Sequence, residues 1–270
     1  MRELKILGLH DMRSGEWCKL VYMHSNSNGE LRVNGEPARV AIRFAGEPTE
    51  GASARLAIVI ARGAMIPRSV FVAINSGTTM LWADENSEIG VVCPGFVCVS
   101  DRIELRRPLK VGVLTISDKG ARNEREDLSG PALADLVVAL GSEITCSDIL
   151  PDDRGAIAEK LRRWSDEEHL QLILTTGGTG LSSRDITPEA LMDVHDRVAP
   201  GFGEIMRAHA MLYTERGYLS RSLAVIRGNT LIVAFPGSER AVRQCFEAVA
   251  PALRHGVETL SGWDCECGHH

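Results

Sequence analysis

Gly177-Gly178-Thr179-Gly180 follows directly on Leu172-Ile173-Leu174-Thr175-Thr176, and Arg184-Asp185 comes shortly after the last of these glycines. Three glycines in four positions remove the Cβ atoms that keep a ligand away from backbone amides, which suits an anion such as phosphate. Taken alone, such a loop reads equally well as a tight turn. Asp185 changes the chemistry, because a carboxylate beside an anion cradle needs a cation between the two. Mg²⁺ held by one or two carboxylates and by substrate phosphates meets that need. Arg184 beside it suits a phosphate or carboxylate partner.

Three other short stretches carry groups of the same kind, each after an expected strand: Ser117-Asp118, Pro151-Asp152-Asp153 and Pro236-Gly237-Ser238. One aspartate after a strand is commonly a helix N-cap. Three at the same rim as a glycine loop read as a metal–phosphate site. No Ser/His/Asp spacing points to a serine nucleophile, and the histidines fall in helices or tails. Phosphoryl or nucleotidyl transfer, which needs positioning and charge stabilisation more than a protein nucleophile, fits the residue set better.

The elements that must position these groups alternate from Lys110 onward. Strands are expected over 111–116, 144–150 and 172–174, the last apolar enough to be buried on both faces. Helices are expected over 132–140 after Ser129-Gly130-Pro131, and over 156–164 with Ile157, Leu161 and Trp164 on one face. Thr187-Pro188-Glu189 opens another, with threonine at the N-cap and proline in the first turn. That helix is expected over 189–197, followed by one over 204–213, a hairpin of 222–226 with 230–235, and a last helix over 239–253. The order predicts an α/β fold: a mostly parallel sheet with helices on both faces and ligands outside the carboxyl ends of its strands.

Arg106-Arg107-Pro108 marks a junction. Residues 1–107 read as a smaller β-rich domain of unassigned function, residues 108–264 as the α/β domain, and 265–270 as a tail. Asn34-Gly35 predicts a hairpin of 31–33 with 39–44, and strands are expected over 56–60, 70–74, 91–92 and 96–99. The turn 74–79 reads as a plain loop or an anion cradle. His10, Cys18, His24, Cys93 and Cys98 match no common metal-site spacing. Cys265, Cys267, His269 and His270 are either metal ligands or part of a solvated terminus.

With 270 residues, 44% of them hydrophobic and 24% charged, the chain can bury a real core. The net charge of −6 argues against nucleic acid as a partner. No apolar run reaches membrane-span length, and the first residues lack a signal-peptide core. Seven scattered cysteines suit a reducing compartment. These features predict a cytoplasmic protein with no membrane partner.

The motifs together resemble the MogA/MoaB family of molybdenum-cofactor biosynthesis. The resemblance rests on residues 113–118 (VLTISD), 127–131 (DLSGP), 174–187 (LTTGGTGLSSRDIT), 199–206 (APGFGEIM), 219–222 (LSRS) and 235–238 (FPGS), and spans roughly 109–262. It implies a molybdopterin-binding fold, a homotrimer, and transfer of AMP from Mg-ATP to molybdopterin with release of pyrophosphate. The product would pass to a partner that inserts molybdate. By the same resemblance Asp152 and Asp185 are the essential carboxylates, Asp185 holding Mg²⁺ against the phosphates and Asp152 either helping to hold the metal or orienting the pterin side. Gly177, Gly178, Thr179 and Gly180 cradle phosphate. Ser117, Asp118, Arg184, Ser220, Arg221, Pro236, Gly237 and Ser238 line the substrate pockets. Many members carry Asn just before the Pro-Gly turn, whereas Ala234-Phe235 stands here. Residues 101–105 (DRIEL) bear a short resemblance to the end of a MOSC domain. The alternative to an enzyme is a molybdopterin or molybdenum-cofactor carrier that does not catalyse transfer.

Overall fold

The computed structural model describes residues 102–263 throughout and, before them, 3–8, 20–28, 30–33, 36–37, 39–44, 54–60, 69–74, 79–83 and 89–98. The chain divides into two compact units, Met1–Pro108 and Leu109–His270.

The first unit is built of strands. Seven of them, β1 (Glu3–Gly8), β5 (Arg39–Phe44), β6 (Ala54–Ile60), β7 (Val70–Ile74), β8 (Thr79–Ala83), β9 (Ile89–Cys93) and β11 (Arg102–Arg106), form one sheet in the order β5-β6-β1-β11-β7-β8-β9. Only β5 and β6 run parallel; the other neighbours are antiparallel. A second sheet has the order β10 (Gly95–Cys98), β2 (Leu20–Ser25), β3 (Leu31–Val33), β4 (Glu36–Pro37). β7 is buried along its whole length, and Phe71, Ala73 and Met80 pack with Trp82, Val92 and Cys93.

The hairpin at Asn34-Gly35 has a different partner from the one expected. β3 pairs with β4, Val33 opposite Glu36, while 39–44 runs parallel to β6 instead. The short ladder also sets Arg32 opposite Pro37. Strands β1, β2, β8 and β11 are additions to the expected set, and β8 begins within the stretch read as a turn. Residues 75–78 of that turn, His10, Cys18 and the tail 264–270 lie outside the described residues. Among the described residues no three His, Cys, Asp or Glu side chains gather as metal ligands.

The second unit has a six-stranded sheet of order β13 (Ser142–Leu150), β12 (Leu109–Ile116), β14 (Leu172–Thr176), β17 (Thr230–Phe235), β16 (Ala224–Arg227), β15 (Arg197–Val198). The first four are parallel; β16 and β15 are antiparallel additions. β14 and β17 are buried at every position, as central strands covered on both faces must be. β13, at the edge, alternates buried or half-buried with more exposed positions.

Side-chain alternation sends Val111, Val113, Leu172, Leu174, Val233 and Phe235 to one face, under α2 (Ser129–Val138), α5 (Pro200–Ala210) and α6 (Glu239–Leu260). Leu114, Ile116, Ile173, Ile232 and Ala234 go to the other, under α3 (Arg154–Asp166) and α4 (Thr187–Met192). A four-residue helix, α1 (Asp118–Ala121), follows β12. The doubly covered, mostly parallel sheet is the expected fold class.

Most element ends shift by a few residues from their expected positions, and three shifts have a clear cause. α4 stops at Met192, and 197–198 pairs with β16 rather than continuing the helix. The helix expected over 204–213, α5, instead begins at Pro200, where the missing N–H is harmless, and ends at Ala210. α6 runs through Pro251 to Leu260, because buried Val249, Leu253 and Val257 continue its apolar stripe past the proline.

Candidate active site

Parallel register brings the chemistry together. Ile116 lies opposite Leu150, and Thr176 is paired with both Thr115 and Phe235. The four strands therefore end in one row, and the residues that follow them form a rim in the order 151–153, 117–118, 177–180, 236–238. Such a row at the carboxyl edge of a parallel sheet is where α/β folds place ligands.

At the centre of the rim the backbone turns sharply. Gly177 has φ +99° and Gly178 φ +61°, in the left-handed region that glycine tolerates. A Cβ on Gly177 would lie 2.2 Å from the Ile116 carbonyl oxygen, so no side chain fits. The Gly177 amide donates to Phe235 O (3.3 Å) and the Thr176 hydroxyl to Pro236 O (2.7 Å), tying the loop to the Pro-Gly turn. The amides of Gly178, Thr179 and Gly180 donate to no protein group among the described residues. Among the described residues the amides left without a protein acceptor in the expected cradle are thus those of 178–180, while the Gly177 amide is used within the fold.

Both expected carboxylates flank this cradle. A Cβ on Gly178 would lie 3.3 Å from Asp152 Oδ1, and one on Gly180 would lie 2.8 Å from Asp185 Oδ2. Asp152 Oδ2 accepts from the Asp118 amide (2.9 Å), and Asp118 Oδ1 accepts from the Asp152 amide (3.1 Å). This reciprocal pair joins the ends of β12 and β13. Asp185 Oδ2 accepts from the Ser182 amide (2.8 Å). The second oxygens, Asp152 Oδ1 and Asp185 Oδ1, accept no protein hydrogen bond among the described residues.

Capping separates the adjacent candidates. Asp153, not Asp152, caps α3 through the Ala156 amide (2.8 Å), leaving Asp152 on the rim. Ser117 caps α1 through the Gly120 amide (3.1 Å), and Ser238 caps α6 through the Ala241 amide (3.3 Å). Arg184 Nη2 pairs with Asp118 Oδ2 at 2.6 Å, and both are partly exposed. The Arg184 guanidinium, then the Asp152 amide, hold the Asp118 carboxyl below the usual carboxylate range.

Ser220 and Arg221 come from the segment after a 3₁₀ turn, Glu215–Leu219. Ser220 Oγ lies 2.9 Å from Ser222 Oγ. The Arg221 guanidinium points into the loop that bears Asp185, where Glu189 and two carbonyls receive it. The residues expected to line the substrate site thus lie along one rim, where Ser117, Asp118, Asp152, Arg184, Asp185, Arg221 and Ser238 also bond to one another or to the backbone.

Two contributors escaped the sequence reading. Asp127 accepts from Thr115 Oγ1 (2.6 Å), from Ser129 N and Oγ and from Gly130 N, and so fixes the start of α2 against β12. The pattern Asp-x-Ser-Gly-Pro carries that signal. Thr187, read as an N-cap, stands inside α4 and donates from Oγ1 to Gly177 O (2.8 Å), locking the glycine turn. Ala234 and Phe235, found where relatives are expected to have Asn, are core residues here, with Phe235 fully buried and near Phe246.

A family model described as "probable molybdopterin binding domain" matches residues 112–255. A molybdopterin adenylyltransferase from Helicobacter pylori strain J99 is 39% identical over 160 residues, 57% of this chain and 89% of that protein. The molybdenum cofactor synthesis protein cinnamon of Drosophila melanogaster is 40% identical over 150 residues, 55% of this chain but only 25% of that longer protein. The crystal structure of the molybdopterin biosynthesis enzyme MoaB from Thermus thermophilus superposes with a TM-score of 0.55 at 43% identity, covering 57% of this chain and 97% of that one. With its glycine turn, its two rim carboxylates and these relatives in agreement, the chain belongs to the MogA/MoaB-like molybdopterin-binding family.

Proposed function

We propose that the chain is a molybdopterin adenylyltransferase of molybdenum-cofactor biosynthesis, transferring AMP from Mg-ATP to the terminal phosphate of molybdopterin. The observation that carries this reading is the pair of carboxylates, Asp152 and Asp185, set beside Gly178 and Gly180 in a loop whose amides 178–180 donate to no protein group among the described residues. The free amides of Gly178, Thr179 and Gly180 suit phosphate oxygens. The open oxygens Asp152 Oδ1 and Asp185 Oδ1 give Mg²⁺ the hard donors it prefers, with phosphates completing its shell. When bound there, Mg²⁺ would neutralise charge on the phosphates as pyrophosphate leaves.

An oxygen of the molybdopterin phosphate attacks the α-phosphorus of ATP. The new O–P bond forms as the bond from that phosphorus to the bridging oxygen breaks, and pyrophosphate departs with the electron pair. The attacking phosphate is already ionised at neutral pH, so no side chain need remove a proton. The work of the rim is alignment and charge stabilisation.

Two finer features belong to the same reading. Leu212, Tyr218 and Leu219, exposed in the segment after α5, are apolar groups of the kind self-association covers, with a homotrimer as the proposed assembly. The adenylylated product would pass to a molybdate-inserting partner. Among the described residues no helix is long and apolar enough to cross a membrane, and the free thiols of Cys93, Cys146 and Cys245 suit a reducing cytoplasm.

The test is pyrophosphate release and AMP-molybdopterin formation from Mg-ATP and purified molybdopterin. Product from the wild type and little from Asp185→Ala supports transfer. Tight molybdopterin binding without product from either would replace the enzyme with a carrier.

A further inference from the structure

We propose that Arg221 is a positioning residue for adenylyl transfer and not a substrate ligand: its guanidinium closes the loop of residues 180–185 and so sets the Asp185 carboxylate against the glycine cradle. This deepens the transfer reading above and rests on it.

The guanidinium is engaged on three sides. Nε donates to Gly180 O at 2.7 Å, Nη2 donates to Asp185 O, and Nη1 donates to Glu189 Oε1 at 2.5 Å. The Arg221 amide also donates to Thr179 O at 2.8 Å. Gly180 and Asp185 are the two ends of a surface loop whose middle residues, 181–184, are all exposed. One planar fork therefore bonds both ends of the loop, a geometry that arginine supplies and lysine does not.

The consequence for Asp185 follows from the bonds inside the loop. Its amide donates to Ser182 O at 3.0 Å, and its Oδ2 accepts from the Ser182 amide at 2.8 Å. That same oxygen would lie 2.8 Å from a Cβ on Gly180. The carboxylate is thus placed by a turn whose base is held shut by Arg221. Glu189 anchors the other side of the clamp. It lies in the first turn of α4, and its neighbours Ala190 and Leu191 are fully buried. The clamp ties a surface loop to an element that the core holds still. A displacement of the order of 1 Å in a reacting group reduces turnover by about 10²-fold.

The experiment compares the full chain with Arg221→Ala, Arg221→Lys and Glu189→Gln. Amide hydrogen exchange is followed along the chain, and kcat and KM are measured for pyrophosphate release. Arg221→Ala is expected to speed exchange in 180–185 while β12, β14 and β17 stay protected, and to lower kcat by about 10²-fold with little change in KM. Arg221→Lys should recover little, since one ammonium cannot bridge the two carbonyls and the carboxylate. Glu189→Gln keeps the carbonyl bonds and should give a smaller change of the same kind. A raised KM with unchanged kcat and loop exchange would make Arg221 a substrate ligand and overturn the proposal. Faster exchange throughout the unit in Arg221→Ala would leave the decision to Glu189→Gln, where unchanged loop exchange and kcat would also overturn it. Absence of product from the wild type would overturn the transfer reading alone, because the exchange comparison still reports whether Arg221 holds the loop.

Discussion

The two units of this chain are both built on sheets, yet among the described residues it is the second whose strand ends bring glycine, serine and aspartate together in one row. In Met1–Pro108 most neighbouring strands are antiparallel, so successive connections leave from opposite ends of the sheet. In Leu109–His270 four neighbouring strands are parallel, so the segments that follow these four all leave from the same end. Residues distant in sequence, Ser117, Asp152, Gly177 and Pro236, then become neighbours without any long-range sequence signal between them. Strand direction, more than strand content, decides where a site can form.

The largest effect expected from breaking the parallel rim is chemical. Asp185→Ala should lower kcat by about 10²–10³-fold while molybdopterin binding stays near the wild-type level, because charge on the leaving pyrophosphate develops mainly in the transition state. Turnover assays beside equilibrium titration would show it. An equal loss of binding and turnover would contradict the role given to this carboxylate.

A backbone comparison sharpens the contrast between units. Gly177→Ala meets both a φ of +99° and a carbonyl oxygen 2.2 Å from the new Cβ, and should destabilise the protein by about 2–4 kcal/mol. Gly90 of β9 has nothing within 4 Å of the same position, so Gly90→Ala should stay within about 1 kcal/mol of wild type. Urea midpoints measured for both variants would check the difference. Similar losses in the two units would mean that the rim glycine is not special.

A smaller effect is expected at Asp118. In Arg184→Ala its carboxyl should titrate at higher pH than in the wild type, because the first and largest cause of its lowering is gone. The sign follows from the folded carboxyl lying below its ordinary range. Any stabilisation by this pair is present above the ordinary carboxylate range and is lost as pH falls through the lowered value. Both side chains are solvated, so the denaturation midpoint at neutral pH should hardly move. Carboxyl carbon shifts followed by NMR between pH 2 and about pH 6 would resolve the titration.

The smallest effect is expected from removing the antiparallel unit altogether. A chain beginning at Leu109 should fold and transfer AMP at nearly the rate of the full chain, since relatives align with this unit over most of their own length. Loss of turnover in that truncation, with its circular dichroism intact, would assign the first unit a part in the reaction.

Much of the rim was legible in the sequence because its signals are local. A glycine turn, a strand before it and a proline at a helix start each depend on a few adjacent residues. Element ends were less legible where packing overrode local preference. The last helix, expected to stop at 253, runs on to Leu260 because Val257 is buried on the same stripe as Val249 and Leu253. Residues 197–198 follow a helical stretch but pair with β16, where an edge was open to them.

By itself the sequence determined that the second unit is α/β, that a glycine loop follows a buried strand, and that Asp152 and Asp185 follow strands or loops of the same kind. Those properties rest on periodicity and on the conformations that glycine and proline permit. Only the tertiary structure decided that Asp153 caps a helix while Asp152 faces the rim and accepts the Asp118 amide. It also decided that Arg184 meets Asp118 and that Arg221 closes the Asp185 loop. Pairings of that sort depend on side chains meeting from separate strands, and the distances involved are set by parallel register and by the packing of helices on both faces of the sheet.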